Sequence, residues 1–216
     1  MKYLKYLKYQ NMHPTNHPPK EKNSDFCDCV CKCVPQLPQK LINNCKLIAS
    51  RIHLLNILPK NGIVAEIGIG YGTFSEAIYE ICNPKNLYLI DIIKQKSNTL
   101  DNLLEKNNIE IKLGKSNIEL NKFQDGFFDW IYIDANHSYE YVIQDLNIAH
   151  NKIKTDGLII CNDYIYYSHV ENIKYGVIDA VNEFCIKNNY EIIFLALNPR
   201  MYCDVVLKKI NCNINT

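Results

Sequence analysis

A glycine-rich turn in the first third of the sequence has the composition of a loop that approaches a ligand closely. Glu66 ends a short apolar run, and Gly68, Gly70 and Gly72 follow at alternate positions. Glycine lets the backbone of a turn pass near a ligand because no Cβ intervenes. A dinucleotide-binding turn calls for Gly or Ala three residues after its second glycine, where this sequence has Thr73, so that interpretation is weakened. An ordinary strand-to-helix turn is the alternative without a ligand.

A second acidic residue, Asp91, ends the next apolar run and is a candidate ribose ligand. It lies 25 residues after Glu66, a length that suits one strand-helix-strand step. A carboxylate at the end of the second strand of a nucleotide-binding sheet accepts hydrogen bonds from ribose hydroxyls. A helix N-cap or a solvated loop charge is the alternative role for Asp91.

Gly114 and Ser116 follow a third apolar stretch. Gly-Lys-Ser resembles the end of a phosphate-binding loop, but that loop requires a first glycine where this sequence has Ile109. We therefore predict that Gly114 and Ser116 flank the adenine of a bound nucleoside, with a simple turn as the alternative.

The stretch 128–139 combines an apolar run with residues that handle protons. Its apolar part predicts a strand that ends at Asp134, and His137 and Tyr139 stand at the start of the following helix, with Asp145 two turns beyond His137. Ligands of open α/β sheets bind at the carboxyl ends of the strands, which makes Asp134 and His137 candidate reactive groups. The alternatives are a helix cap for Asp134 and a structural role for His137.

Two further polar residues, Asn162 and Asp163, end the next predicted strand at the same edge as Asp134. Carboxylate and amide oxygens suit Mg²⁺, with waters completing its octahedron. The pattern predicts a divalent-metal site, and a turn in which Asn and Asp bond the backbone is the alternative.

Predicted strands and helices alternate over most of the chain. Such alternation favours a mainly parallel sheet with helices on both faces, closed by an antiparallel hairpin. The predicted strands are 63–67, 86–92, 109–113, 128–134, 157–162, 191–197 and 202–208, and the predicted helices are 41–58, 73–82, 96–106, 138–153 and 172–188.

Residues 1–38 differ in composition from the rest, because prolines interrupt any helix there. The run 27–33 has a cysteine at every second position, whereas a zinc site normally adds a second Cys or His pair elsewhere. We interpret 1–38 as a flexible, Cys- and Pro-rich arm with reduced thiols that the fold does not need, and 39–216 as the folded domain.

Composition bounds the location and the partners of the chain. Ten cysteines without a recognisable secretory signal favour reduced thiols and a cytoplasmic location. The net charge of +1 gives no electrostatic basis for a nucleic-acid partner, and no apolar run predicts a membrane span. We expect a small-molecule partner, and the sequence leaves homo-oligomerisation open.

Residues 45–208 resemble the class I methyltransferases that use S-adenosylmethionine (SAM), whose first motif is an acidic residue before Gly-x-Gly-x-Gly. The stretch 133–146, Ile-Asp-Ala-Asn-His-Ser-Tyr-Glu-Tyr-Val-Ile-Gln-Asp-Leu, is similar to the Asp-Gly-x-His-x-Tyr signature of the methyltransferase-24 family, and 176–184 also resembles that family. The family includes metal-dependent sugar O-methyltransferases and is related in plan to catechol O-methyltransferases. The resemblance implies a Rossmann-like, seven-stranded methyltransferase fold.

The resemblance also implies which residues bind SAM. Glu66 and the glycines of the turn would hold the methionine end and backbone of the cofactor, and Asp91 would hold its ribose. The implied cofactor-binding residues are Glu66, Gly68, Gly70, Gly72, Asp91, Gly114, Ser116 and Asp134.

For the chemistry, the resemblance implies a divalent ion, Mg²⁺ or another, on Asp134, Asn162 and Asp163. His137 falls where catechol-type enzymes carry a lysine base, so Asp134 and His137 are the implied catalytic residues. Ala135 replaces the usual glycine of the signature, and Asn162 replaces the first Asp of the sugar enzymes, which removes one charge from the metal site.

These features together predict a SAM-dependent methyltransferase that O-methylates a small sugar- or catechol-like acceptor with the help of a metal. N-methylation stays open. Two competing classes are a non-catalytic SAM-fold scaffold, whose Cys-rich arm contacts a partner, and a dinucleotide-dependent oxidoreductase.

Overall fold

The computed structural model of this chain describes residues 35–210. Most of the predicted arm, including the alternating cysteines at 27–33, lies outside the described residues. The last part of the arm contacts the domain, since Leu37 packs against the core and Asn182 Nδ2 donates a hydrogen bond to the Pro35 carbonyl at 2.8 Å. The predicted boundary at residue 38 stays a prediction.

An eight-stranded sheet forms the centre of the fold. Its strand order is β1-β9-β10-β6-β5-β2-β3-β4, and β10 runs antiparallel to both of its neighbours while the other pairs are parallel. A separate antiparallel pair is formed by β7 and β8. The strands are β1 (Lys46–Ile48), β2 (Ile63–Ile67), β3 (Asn86–Asp91), β4 (Ile109–Leu113), β5 (Phe128–Ile133), β6 (Ile153–Cys161), β7 (Tyr167–Ser168), β8 (Ile173–Lys174), β9 (Tyr190–Ala196) and β10 (Asp204–Lys209).

The helices connect successive strands of this sheet. After a short 3₁₀ turn at Gln39–Leu41 they are α1 (Arg51–Ile57), α2 (Thr73–Cys82), α3 (Asn98–Leu104), α4 (Ser116–Asn121), α5 (Tyr139–Lys152) and α6 (Val177–Asn188). Within 35–210, no helix has the length and apolar character that a membrane crossing requires.

The structure confirms the predicted α/β architecture, with its mainly parallel sheet and closing hairpin of β9 and β10. All seven predicted strands are present. The prediction of one helix over 41–58 is wrong, because that segment contains β1, which pairs with β9, and then α1. The helix begins only at Arg51 because the Ser50 side chain caps it, accepting a hydrogen bond from the His53 backbone N–H. The short α4 and the β7–β8 pair were not predicted.

The core lies on both faces of the central strands. In β5 the fully buried Trp130 and Tyr132 pack into one apolar cluster, and Ile131 and Ile133, at the alternate positions, pack into another. Successive side chains of a strand point to opposite faces of the sheet, so this alternation shows that both faces of β5 are covered by apolar residues. The parallel strands of a buried sheet end at one rigid edge, and that edge carries the polar residues of the candidate site.

Candidate functional site

The glycine turn packs directly against the end of β5. The Gly68 N–H donates to the Ile90 carbonyl at 2.8 Å, and the Asp134 N–H donates to the Ile67 carbonyl at 2.8 Å. Gly68 has a φ of +85°, and a Cβ built there would lie 2.0 Å from the Asp134 carbonyl oxygen. Only glycine satisfies both conditions, so the turn and the end of β5 can approach each other only with this residue.

Asp91 holds the same turn in place from the end of β3. Its Oδ2 accepts hydrogen bonds from the Ile69 N–H at 2.9 Å and the Gly70 N–H at 3.3 Å. Its Oδ1 accepts only a long contact, 3.3 Å, from the Ile93 N–H. One carboxylate oxygen therefore shapes the loop, and the other is available to a ligand in the position predicted for the ribose.

A cavity of about 470 Å³ opens at this edge of the sheet. Its volume lies within the ~300–1,000 Å³ that is typical of small-molecule sites. It brings together six of the eight residues predicted to bind the cofactor; Glu66 and Gly72 do not line it. The six are Gly68, Gly70, Asp91, Gly114, Ser116 and Asp134.

Some residues that line the cavity were absent from the predicted set. Tyr141 and Asp145 come from α5, the helix that follows Asp134, and Asn117 follows Ser116 in α4. The four-residue spacing of Tyr141 and Asp145 puts them on one face of a helix, and that spacing is a signal by which they could have been found.

Asp145 connects two walls of the cavity. Its Oδ1 accepts a hydrogen bond from the Ser116 hydroxyl at 2.6 Å, and burial raises the pKa of Asp145 to about 6. The Gly114 N–H donates to the Asp91 carbonyl at 2.9 Å. Gly114 and Ser116 are thus fixed by bonds to neighbouring elements, in the wall where the adenine was predicted.

Glu66 lies beneath the turn rather than in the cavity. Its side chain is 1% exposed and accepts a hydrogen bond from the Ser75 hydroxyl at 2.5 Å. Burial raises the pKa of Glu66 to about 8, so the carboxyl group is largely protonated at pH 7. In this arrangement Glu66 supports the loop from below.

This burial leads to a prediction about stability and pH. Between the ordinary Glu pKa of 4.5 and the folded value of about 8, the unfolded chain has lost the Glu66 proton while the folded chain keeps it. The free energy of unfolding should therefore fall as pH rises through this window, by about 1 kcal/mol per pH unit from this group. Glu66→Gln should remove that slope and be more stable than the wild type at pH 8, measured by urea denaturation. Glu80→Gln, at an exposed position, is the control and should keep the slope.

A second group of polar residues surrounds His137. His137 Nε2 lies 3.5 Å from Asp134 Oδ1 and 3.7 Å from Asp163 Oδ2. Its ring stacks on Tyr175 with centroids 4.5 Å apart, and its carbonyl accepts from the Gly176 N–H at 2.7 Å. Burial alone lowers the pKa of His137, but the carboxylates of Asp134 and Asp163 outweigh this, so the net pKa is raised.

Asn162 and Asp163 have different surroundings although they are adjacent. Asn162 is buried, and its Nδ2 donates to Asp204 Oδ1 at 2.9 Å. The Tyr132 hydroxyl donates to the other oxygen of Asp204 at 2.6 Å. Asp163 has a φ of +54° and faces His137, and burial raises its pKa to about 6. Asn162 thus joins a buried network, and Asp163 points to the histidine.

Arg51, from the start of α1, is a member of the site that was not predicted. Its Nη1 lies 3.8 Å from Asp134 Oδ2, and its guanidinium carbon lies 4.5 Å from the centre of the Phe74 ring. Burial lowers the pKa of Arg51, but Tyr132 and Asp204 outweigh it and the net pKa is raised. No motif marks this residue, because it lies before the turn and its contacts with Phe74 and Asp134 depend on the tertiary fold.

The predicted metal ligands do not fit a divalent ion in this arrangement. His137 and Arg51 already face the two oxygens of Asp134, and the Asn162 side chain is buried and bonded to Asp204. A metal about 2.1 Å from Asp134 would lie within roughly 6 Å of Arg51, where repulsion costs on the order of a few kcal/mol. Between residues 35 and 210, no three or more His, Cys, Asp or Glu side chains are grouped to hold a metal ion.

Comparisons with known proteins agree with this fold. A sequence profile of the methyltransferase-24 family, described as a methyltransferase domain, matches residues 65–164, from β2 to just beyond Asp163. A search of curated proteins finds no match.

Solved structures of methyltransferases share the fold at low sequence identity. A SAM-dependent methyltransferase from Aquifex aeolicus is 14% identical over 74% of this chain and 88% of its own, with a TM-score of 0.56. A 1,6-didemethyltoxoflavin N1-methyltransferase from Burkholderia thailandensis, with bound S-adenosylhomocysteine, is 12% identical over 70% and 72%, with a TM-score of 0.52. A B. subtilis tRNA methyltransferase is 14% identical over 76% and 67%, with a TM-score of 0.53. The likeness shows a Rossmann-like methyltransferase fold, and together with the family match it supports a class I, SAM-dependent methyltransferase.

Proposed function

We propose that this chain transfers the methyl group of SAM to a hydroxyl oxygen of a small acceptor that is sugar- or catechol-like. The observation that carries the proposal is the cavity at the carboxyl edge of the sheet, where the glycine turn, Asp91 and Asp134 meet. The family match spans all three of these features. The Asp91 carboxylate is the candidate ligand of the ribose, and the wall at Gly114 and Ser116 is the candidate adenine site.

We expect methyl transfer to take place at the other end of the cavity, next to Asp134. In an in-line transfer, the acceptor oxygen forms a bond to the methyl carbon as the carbon–sulfur bond breaks, and S-adenosylhomocysteine leaves. The hydroxyl proton must go to a base, and His137, beside Asp134, is the candidate. Holding the two reactants in line contributes further, since orientation lowers barriers by several kcal/mol.

Assistance by Mg²⁺ on Asp134, Asn162 and Asp163 is the alternative version of this proposal. A metal would favour ionisation of the acceptor hydroxyl. That version requires Arg51 and His137 to move away from Asp134, so the steps given above use only the residues of the chain.

Calorimetric titration with S-adenosylhomocysteine, SAM and NAD tests the proposal and separates it from the competing classes. We expect binding of the first two and none of NAD. Binding of NAD alone would favour an oxidoreductase. Binding of SAM without methyl transfer to any of a panel of phenols, catechols and sugars would favour the non-catalytic scaffold.

Asp91→Ala is expected to weaken the binding of S-adenosylhomocysteine by about 1–3 kcal/mol, the usual loss for a charged hydrogen-bond partner. Because Asp91 also holds the turn, the same titration is repeated with the 2′-deoxyribose analogue. If Asp91 bonds the ribose, the variant should lose less affinity for the analogue than for the natural ligand. Equal losses for both ligands would limit Asp91 to shaping the loop. Asp101→Ala, at an exposed residue of α3, is the control.

A further inference from the structure

We propose that Arg51 takes the place of a divalent cation in this site, neutralising Asp134 and stabilising the negative charge that develops on the acceptor oxygen. The inference rests on the proposed function and adds a positive charge beside the acceptor to it, so that methyl transfer would need no added metal. It also assigns a role to a residue that lies outside the family match, which begins at residue 65.

Arg51 places a positive charge beside Asp134. The two oxygens of Asp134 face different basic side chains: Oδ2 faces Arg51 Nη1 at 3.8 Å, and Oδ1 faces His137 Nε2 at 3.5 Å. Asp134 also lines the cofactor cavity. A positive group beside Asp134 is thus next to the end of the cavity where the acceptor must meet the methyl group.

A helix cap and an aromatic ring hold Arg51 in this position. The residue is the first of α1, whose start is fixed by the Ser50 cap, and its guanidinium lies 4.5 Å from the centre of the Phe74 ring. Phe74 is itself buried and packs against Tyr132, with ring centroids 4.6 Å apart and ring planes tilted by 45°. A guanidinium held over an aromatic face beside a carboxylate has a defined position, although its side chain is 40% exposed and accessible to an acceptor.

Arg51 and a divalent ion would exclude each other at Asp134. A divalent ion on Asp134 would meet a guanidinium that cannot lose its charge in a protein. If Arg51 fills the place of the ion, removing its charge should free Asp134 Oδ2 and allow a divalent ion to bind beside it. Removing an arginine that lies away from Asp134 would not have this effect.

The test measures Mn²⁺ binding to the metal-stripped full chain by electron paramagnetic resonance, in the presence of S-adenosylhomocysteine. We expect weak or no binding by the wild type and an affinity at least about tenfold higher in Arg51→Ala, since a like charge has been removed. Arg51→Lys keeps the charge and should behave as the wild type, as should Arg200→Ala, which removes an exposed arginine elsewhere. Asp134→Asn in the Arg51→Ala background should abolish the gain.

Two results would overturn the proposal. One is tight, one-to-one Mn²⁺ binding by the wild type that Arg51→Ala leaves unchanged; the other is no Mn²⁺ binding by either protein. Calorimetry with S-adenosylhomocysteine on the same samples keeps the two proposals apart. If the wild type does not bind S-adenosylhomocysteine, the proposed function is wrong. If it does bind S-adenosylhomocysteine and either of these Mn²⁺ results is found, only the proposed role of Arg51 is wrong.

Discussion

Replacing His137 by alanine is expected to lower the turnover number by about a hundredfold or more, the usual scale for the loss of a general base. The affinity for S-adenosylhomocysteine should stay unchanged, because His137 does not line the cavity that we propose for the cofactor. Turnover is measured with a saturating acceptor identified in the panel of hydroxyl compounds, and cofactor affinity by calorimetry. His169→Ala, at an exposed residue near β7, is the control and should keep full turnover.

The pH dependence gives His137 a second test. A base must be neutral to accept a proton, and Asp134 and Asp163 raise the net pKa of His137 above its ordinary value. Wild-type turnover should therefore rise with pH, with a midpoint above the ordinary histidine pKa of about 6.5. This rising limb should be missing from the residual activity of His137→Ala. Full turnover in the variant, with chemistry rate-limiting, would leave His137 as a structural ring stacked on Tyr175.

The parts of the fold that could be predicted are those whose signals are local. The strand that ends at Glu66 and Ile67 and the turn after it are specified by an apolar run and by three glycines. Gly68 and Asp91 could be recognised from spacing, because the loop needs a residue without a Cβ and a nearby acceptor. The proximity of Asp134 and His137 could also be predicted, because they lie only three positions apart in the sequence, at the end of a strand.

The parts that could not be predicted depend on pairing across long distances in the chain. The segment 41–58 has enough apolar residues for a helix, but Lys46 pairs with Phe194, so the strand β1 replaces its first half. Arg51 reaches Asp134 only because α1 packs beside α2 and the end of β5. Asn162 looks like a metal ligand in sequence, and its bond to Asp204 exists only once β6 and β10 are paired.

Gly68→Ala is the stability change with the largest expected effect. The new Cβ would lie 2.0 Å from the Asp134 carbonyl oxygen, and an alanine would also have to adopt a φ of +85°. The contact is with backbone at the end of a buried strand, which cannot shift as a flexible side chain could. We expect a loss of roughly 3–5 kcal/mol in the free energy of unfolding, in the range of severe steric mutations, and no measurable binding of S-adenosylhomocysteine.

Gly126→Ala separates the two causes of this loss. Gly126 also has a positive φ, +67°, but nothing lies within 4 Å of a Cβ built there, and the residue does not line the cavity. The Gly126→Ala variant should lose only about 1–2 kcal/mol in the free energy of unfolding, which is the cost of alanine in a left-handed conformation. It should keep its affinity for S-adenosylhomocysteine. Urea denaturation and calorimetry on both variants measure the two effects. A Gly68→Ala protein as stable as Gly126→Ala, with cofactor affinity intact, would mean that the turn and β5 can separate, and that their close contact does not define the cavity.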